Sequence, residues 1–184
     1  MLELLEKERI YLLKRRHPIV LQFQVFPLLL ISFFIFLLIL FLFFKKISWP
    51  DFLIENFPQI TEFRLNFVLI FILSLTLPIL WSLIFYVVTQ YYLTYWVITN
   101  RRIISARLVG LFNIKYASIS LDKIQDLTVF IKGILPSIYH FGNLRIQTAG
   151  EKGQFLLDQI QDPEIVKQVI FEAKIDYQRE TEKL

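Results

Sequence analysis

The polar segment "LDKIQD", residues 121–126, places two carboxylates four residues apart, and paired carboxylates can serve as general acid and base. No His, Cys or nucleophilic serine motif accompanies Asp122 and Asp126 in the sequence. Their alternative role is structural. They would pair with Lys123 or Arg145, or accept backbone hydrogen bonds where one strand passes into the next. We therefore expect no catalytic residue and a non-enzymatic protein.

Metal and redox chemistry have few possible ligands, because the chain has no Cys and only two His. A long apolar region separates His17 from His140, and neither has a second ligand at helical or strand spacing. We predict no metal site and no cofactor. We expect His17 at a membrane interface and His140 in a turn before Gly142.

Basic residues flank the apolar half of the chain at Arg15 and Arg16 and again at Arg101 and Arg102. Guanidinium groups in these positions have two possible roles. They could bind the phosphate of a lipid headgroup, or they could be the positively charged anchor on the cytoplasmic side of membrane helices.

The net charge of +4 is spread along the chain. Residues 1–17 contain five Lys or Arg and three Glu, and residues 101–184 contain twelve basic and ten acidic residues. No segment has the basic density that a nucleic-acid-binding face requires. We therefore exclude nucleic acid as a partner.

Two uncharged runs are long enough to cross a bilayer, which requires about 20 apolar residues. The first covers residues 18–44, and the chain as a whole is 55% hydrophobic with 19 Phe. The second extends from Leu65 to Asn100, too long for one span. We expect its helix to occupy residues 66–90, because aromatic residues typical of the headgroup region accumulate after Tyr86.

The distribution of basic residues predicts that both termini lie in the cytoplasm. In this topology, residues 1–17 form an interfacial segment, helical or a strand leading into the membrane, and residues 45–65 form an external loop. Residues 91–184 form a cytoplasmic domain.

Residues after Gln90 change to strand periodicity. Leu144 and Ile146 alternate with Arg145 and Gln147, and turn residues recur at short intervals. The segment "DPEIVKQVIFEAKIDYQ" then shows helical spacing, with Asp162 as N-cap. The pattern predicts six or seven antiparallel strands followed by one amphipathic helix. "GILPSIYHFG", residues 133–142, is expected to be an apolar loop, either a lid or a partner groove.

The segments "YWVITNRRIISARLVGLFNIKYASISLDKIQDLTV", "FGNLRIQTAG" and "IQDPEIVKQVI" resemble the bacterial pleckstrin-homology-like (YdbS-type) family of membrane-flanked domains. The resemblance covers roughly residues 91–175. Its motif residues are Thr99, Arg102, Ile103, Ile104, Gly110, Ile119, Leu121, Asp122, Lys123, Ile124, Gln125, Asp126, Phe141, Gly142, Ile146, Thr148, Ala149 and Gly150.

The resemblance implies a membrane α-helical hairpin followed by an α+β domain. This domain would be a curved seven-stranded antiparallel sheet, or partial barrel, capped by a C-terminal helix. Its first strand would begin at Tyr91, and the motif residues would be structural.

The function expected for such a chain is a membrane-anchored interaction or assembly module at the cytoplasmic face of the bacterial inner membrane. The alternative is a lipid-binding subunit of an enzyme or transporter that handles envelope lipids. The expected partners are the bilayer and an unidentified membrane or cytoplasmic protein, and self-association stays open.

Overall fold

The computed structural model describes residues 8–45, 47–57, 59, 64–148 and 155–181. The chain forms two compact units. The first, here called the sheet unit, combines Met1–Leu21 with Thr89–Leu184, and the second, the helical unit, is Gln22–Val88. The predicted fold class is confirmed: two long apolar helices accompany antiparallel sheets and a C-terminal helix.

The two long helices are α1 (Pro18–Phe44) and α3 (Leu65–Leu93), with the short helix α2 (Asp51–Asn56) between them. Both long helices have the length and apolar composition needed to cross a membrane. Asn66 joins their connected ends. Its side-chain oxygen accepts the Ile47 N–H at 2.8 Å, and its amide nitrogen donates to the Leu42 and Lys45 carbonyls, the former also at 2.8 Å.

The sheet unit contains seven strands in two antiparallel sheets. The four-stranded sheet has the order β1-β2-β3-β4, and the three-stranded sheet has the order β5-β6-β7. An antiparallel bridge between Arg16 and Ile160 links the end of β1 to β7. The elements are β1 (Ile10–Arg15), β2 (Tyr95–Thr99), β3 (Arg102–Val109), β4 (Asn113–Ser120), β5 (Ile124–Phe130), α4 (Ile134–Tyr139), β6 (Phe141–Thr148), β7 (Phe155–Gln161) and α5 (Pro163–Thr181).

The first strand of this unit comes from the segment before α1. It pairs antiparallel with β2, from Ile10 opposite Thr99 to Arg15 opposite Tyr95. The strand alternative for the N-terminal segment is therefore correct for residues 10–15, and the expected domain of residues 91–184 lacks a strand that its sheet requires. In the chain, the apolar hairpin is an insertion between two neighbouring strands.

The core of the sheet unit lies between the two sheets and α5. Trp96, Ile98, Leu144 and Ile146 are completely buried there. The predicted alternation of β6 is confirmed, because Arg145 and Gln147 are more exposed than their neighbours. Helix α5 begins at Pro163 after Asp162, as expected, and covers this core with residues from its predicted apolar face. These residues are Val166, Val169, Ile170, Ala173 and Tyr177.

One predicted boundary and one predicted loop are wrong. Helix α3 continues to Leu93, so β2 begins at Tyr95 instead of Tyr91. The helix can continue because Tyr91 and Tyr92 tolerate helical backbone and no Gly or Pro stops it. The segment expected to be an apolar loop contains the short helix α4. His140, which follows its last residue, has a left-handed φ of 53°.

The register between β1 and β2 predicts that the helices can be removed without loss of the sheet unit. Because Arg15 lies opposite Tyr95, a short turn can replace residues 18–93. We expect residues 1–17, joined by a short Gly-containing turn to residues 94–184, to give a β-rich circular dichroism spectrum and a cooperative thermal transition.

Residues 94–184 alone are the matched control. Without β1 they leave the edge of β2 and part of the core uncovered, so we expect them to aggregate or to melt at a lower temperature. Equal melting temperatures for the two chains would contradict the assignment of β1 to this unit.

Candidate functional site

The edge of the sheet unit where β1 ends and β2 begins, here called the tether edge, contains a cluster of charged side chains. Asp158 on β7 accepts a hydrogen bond from Arg107 Nη2 at 2.8 Å, and Arg16 Nη2 lies 3.8 Å from the same carboxylate oxygen. Two guanidinium groups thus share one carboxylate, which leaves one formal positive charge.

The two arginines of this cluster have different environments. Arg107 is 38% exposed, whereas Arg16 is 16% exposed and its Nε has no hydrogen-bond partner among the described residues. Burial is the main cause that lowers the pKa of Arg16, with Asp158 opposing that shift. An anionic group that approaches this edge therefore meets Arg107 first. A guanidinium can bind a phosphate in a bidentate manner.

His17 connects β1 to the start of α1. Its backbone N–H donates to the Gln159 carbonyl at 2.7 Å, and its Nδ1 accepts the Ile19 N–H at 3.2 Å. The imidazole also stacks on the Phe141 ring, with centroids 5.4 Å apart. Burial lowers the pKa of His17, and Asp162 partly offsets this. These contacts fit the neutral imidazole, whose unprotonated Nδ1 accepts the Ile19 N–H.

The structure also places His17 close to the turn that contains His140. The His17 ring lies 6.5 Å from the ring of Tyr139, the residue before His140. His140 occupies the turn that the sequence predicted for it. The long apolar segment separates the two histidines in sequence, but it begins and ends at one edge of the sheet, so His17 lies close to the residue before His140. What the sequence did not indicate is that the strand at residues 10–15 pairs with β2 beyond the two helices.

Arg101 and Arg102 lie at the opposite end of β1 and β2, where β2 ends and β1 begins. Arg102 forms two hydrogen bonds with the fully buried Glu8 carboxylate, from Nε at 3.0 Å and from Nη2 at 3.1 Å. The Thr99 hydroxyl lies 2.8 Å from the same carboxylate, and it accepts the backbone N–H groups of Arg101 and Arg102. The motif residues Thr99 and Arg102 therefore hold the segment that precedes β1.

The four arginines proposed as lipid or anchor candidates are consequently divided between two edges. Arg16 belongs to the tether-edge cluster, and the Arg15 guanidinium lies 5.9 Å from the Tyr92 ring centroid. Arg101 and Arg102 follow the far end of β2, roughly 13 Å from Tyr95 at about 3.3 Å per residue. Arg101 is exposed there. Proximity in sequence to α3 does not place these two residues beside that helix end.

The carboxylates of "LDKIQD" are both exposed and are bonded locally. Asp122 accepts the Ser120 hydroxyl, and Asp126 accepts the Thr128 hydroxyl at 3.0 Å. The expected partner Arg145 instead lies over the Phe130 ring, 4.7 Å from its centroid. Lys123 is exposed as well. This arrangement holds a turn together and does not direct two carboxylates at a common point.

The remaining motif residues support the backbone. Ile124 is buried in the core. Gly110 has φ +71° in the turn between β3 and β4, a conformation that favours glycine. A Cβ at Gly142 would lie 2.7 Å from the Phe130 carbonyl oxygen, so only glycine allows this close approach. The Thr148 hydroxyl is buried, and Gly150 lies outside the described residues.

Within the described ranges, no group of three or more His, Cys, Asp or Glu side chains is arranged to hold a metal ion. A cleft of ≈ 420 Å³ does lie beside α4 and the start of α5. Its lining residues are Ile131, Pro136, Ser137, His140, Asp162, Pro163, Glu164 and Ile165.

The family described as "Bacterial PH domain" matches residues 21–174. The chain belongs to the bacterial PH domain family. The predicted resemblance is thereby confirmed. The matched range begins after β1, so the first strand of this bacterial PH protein is identified from the structure and not from the family match.

One solved structure is similar to this PH protein. It is the crystal structure of a DUF1696 family protein with a pleckstrin-homology domain from Shewanella loihica PV-4. The two chains are 19% identical with a TM-score of 0.36, over 44% of this chain and 70% of the other. No curated protein sequence matches the chain.

The tether-edge cluster predicts a stability cost for loss of its carboxylate. Asp158→Asn removes the charge that Arg16 and Arg107 share, so we expect the free energy of unfolding of this PH protein to fall by about 1.5–3 kcal/mol. Chemical denaturation in detergent, followed by circular dichroism, measures this. Asp126→Asn is the matched control, because it changes an exposed carboxylate outside the cluster, and equal effects of the two substitutions would argue against a structural role for Asp158.

The contacts of His17 predict a pH dependence. Because the folded-state pKa is lowered, the unfolded chain binds the proton more tightly, and the stabilising contribution is complete above the unfolded pKa of about 6.5. It is lost as the pH falls below that value. His17→Asn retains a short acceptor before α1 but does not titrate.

Thermal unfolding between pH 8 and pH 5 tests this expectation. The melting temperature of the parent PH protein should fall more steeply on acidification than that of His17→Asn. Parallel curves for the two proteins would show that His17 does not contribute.

Proposed function

We propose that the chain is a membrane-anchored interaction or assembly module, held by a two-pass helical hairpin at the cytoplasmic face of the bacterial inner membrane. The observation that carries the proposal is the pairing of β1 with β2. Arg15 and Tyr95 are opposite each other, and α1 and α3 connect to these strands through two residues and one residue. A hairpin that leaves and returns at one edge enters and exits the bilayer on the same side.

Membrane anchoring is supported by the surfaces of the two long helices. Phe36, Phe41, Phe71 and Phe85 are all more than half exposed, which is costly in water but favourable in hydrocarbon. A helix at the core of a soluble protein would bury such residues. The polar side chains Ser74, Thr76 and Ser82 bond to carbonyls of α3 itself.

The proposed cytoplasmic location is supported by the basic residues near the helix ends. Lys14, Arg15 and Arg16 precede α1, and Arg101, Arg102 and Arg107 follow α3. The connection between the helices has three basic and three acidic residues in 45–65. The positive-inside rule counts basic residues close to the spans, and it favours the sheet unit on the cytoplasmic side.

The interaction role is supported by β4. In the described part of the chain this strand pairs only with β3, so its other side is an open edge of eight residues. Ile114 and Tyr116 alternate on one face of the strand and are both exposed. An extended segment of a partner can add to such an edge through backbone hydrogen bonds. The partner would be a membrane or cytoplasmic protein, or a second copy of the chain.

A non-enzymatic role is part of this proposal. It is supported by the local bonding of Asp122 and Asp126 and by the structural contacts of Arg102 and Thr99. These motif residues are all engaged in holding turns and strands.

The positive tether-edge cluster favours one alternative, a lipid-binding subunit of an enzyme or transporter that handles envelope lipids. Arg107 is partly exposed and has its one carboxylate partner on β7. Affinity purification in mild detergent, followed by mass spectrometry of bound protein and lipid, distinguishes the two functions. A protein recovered in fixed ratio supports the module, and one retained anionic lipid with no protein supports the alternative.

The topology is tested by single cysteines, because the chain has none of its own. Ser48 and Ser118 are both exposed, the first between the helices and the second on β4. On intact cells an impermeant maleimide should label Ser48→Cys and leave Ser118→Cys unlabelled.

Permeabilised cells provide the control, since both cysteines should then react. Labelling of Ser118→Cys but not Ser48→Cys on intact cells would place the sheet unit on the outer face and refute the proposed location. Recovery of either protein in the soluble fraction would refute the membrane anchor.

A further inference from the structure

The turn between β3 and β4 exposes two large apolar side chains. Val109 pairs with Asn113 at the end of the two strands, and the three residues between them form the turn. Phe112 is 91% exposed and Leu111 is 66% exposed. A fully exposed phenylalanine at a loop tip is unfavourable in water, so this turn has the character of a contact surface.

The register of the strands fixes the direction of this turn. Ala106 on β3 lies opposite Tyr95, the first residue of β2. The next three residues of β3, through Val109, continue past that point by about 10 Å at about 3.3 Å per residue. Phe112 therefore projects beyond the tether edge, on the side where the chain arrives from α3.

Helix α4 provides a second exposed apolar surface. Ile134 and Ile138 are four residues apart and are 79% and 63% exposed. Leu135 and Tyr139 repeat this spacing on the same face of the helix. Pro136 and Ser137, on the other face, line the cleft beside α5. Ile134 and Ile138 thus point away from the domain, while Tyr139 at the border of this face lies beside His17.

The position of α4 is given by its last residue. Tyr139 lies 6.5 Å, between ring centroids, from His17, and His17 is the residue immediately before α1. Helix α4 is consequently beside the start of the first apolar helix. Both exposed apolar surfaces are found at the tether edge, although β3, β4 and α4 belong to different sheets or connections.

The charged residues that flank the two surfaces in sequence are basic, while Asp158 pairs with Arg107 and Asp162 and Glu164 line the cleft on the other side of α4. Arg107 and Lys115 face each other across β3 and β4 behind the turn, and Lys132 precedes α4. The sequence has no Asp or Glu in residues 101–121 or in residues 127–148. Apolar tips backed by basic residues suit the interface of a bilayer that contains anionic lipid.

We propose that the β3–β4 turn and the apolar face of α4 insert into the cytoplasmic interface of the same bilayer that holds the helical hairpin. This inference rests on the proposed membrane anchor and adds two lipid contacts to it. With the two helices, the turn and α4 would give the sheet unit additional points of attachment and hold its tether edge against the lipid surface. The open edge of β4 would then have a fixed orientation relative to the membrane.

Site-specific fluorescence of the full chain tests the proposal. Phe112→Cys and Ile138→Cys, each labelled with an environment-sensitive NBD group, report on the two surfaces. Lys123→Cys is the control at an exposed residue beyond β4, whose end pairs with Arg102 at the far edge. Phe36→Cys reports on the middle of α1.

The proteins are reconstituted in vesicles of phosphatidylethanolamine and phosphatidylglycerol, with and without brominated acyl chains. Aqueous iodide provides the opposite quencher, and circular dichroism confirms that each variant is folded. We expect bromine to remove most of the emission of the probes at residues 36, 112 and 138. Iodide should quench the probe at residue 123 alone.

Three other results would overturn the inference. Quenching by bromine at residue 36, with residues 112 and 138 behaving like residue 123, would leave the anchor intact and refute the additional contacts. Protection of residues 112 and 138 from both quenchers would show that a protein surface, such as a second copy, covers them. Absence of bromine quenching at residue 36 would refute the proposed membrane anchor itself.

Discussion

Five residue pairs between β1 and β2, from Ile10 opposite Thr99 to Arg15 opposite Tyr95, hold together segments that are far apart in sequence. The fold of the sheet unit depends on this pairing, because β2 carries the fully buried Trp96 and Ile98. The pairing also brings both ends of the apolar hairpin to one place. The apolar hairpin is thus inserted within the sheet of the domain and is not simply attached to one of its ends.

Charged side chains secure β1 at both of its ends. Glu8 is buried against Arg102 and Thr99 at one end, and Arg16 approaches Asp158 at the other. The Arg102–Glu8 contacts are charge-assisted hydrogen bonds, which are stronger than those between neutral groups, and the Arg16–Asp158 contact is an ion pair. They explain why Arg16 and Arg102, which look like ligand-binding candidates in the sequence, are occupied by the protein itself.

Much of the fold could be predicted from periodicity. The apolar faces of β6 and α5 follow from the spacing of residues such as Leu144, Ile146 and Val166, and the bounds of α1 follow from the uncharged run at residues 18–44. β1 could not be recognised in this way, since Tyr11, Leu12 and Leu13 put apolar residues on both faces and its partner strand lies beyond two helices. Helix α4 is too short to show a helical period.

The candidate site was harder to predict for the same reason. Arg101 and Arg102 were expected to lie at the membrane surface, because they follow the second apolar run closely in the sequence. β2 carries them to the far edge of the sheet instead. The roles of Asp158 and Glu8 could not be predicted from the sequence, because each carboxylate meets its arginine partner only when strands distant in sequence pair.

The insertion of a helical hairpin between paired strands also limits when the sheet can form during synthesis. β1 leaves the ribosome before its partner β2, which is made only after both apolar helices, and 80 positions separate Arg15 from Tyr95, the first residue of β2. At about 5–20 residues per second, the strand waits several seconds for its partner. Under the proposed anchoring, the helices would enter the bilayer during that interval. Pairing of β1 with β2 can therefore begin only after both helices have been made, and under the proposed anchoring it requires both strands to lie on the same side of the membrane.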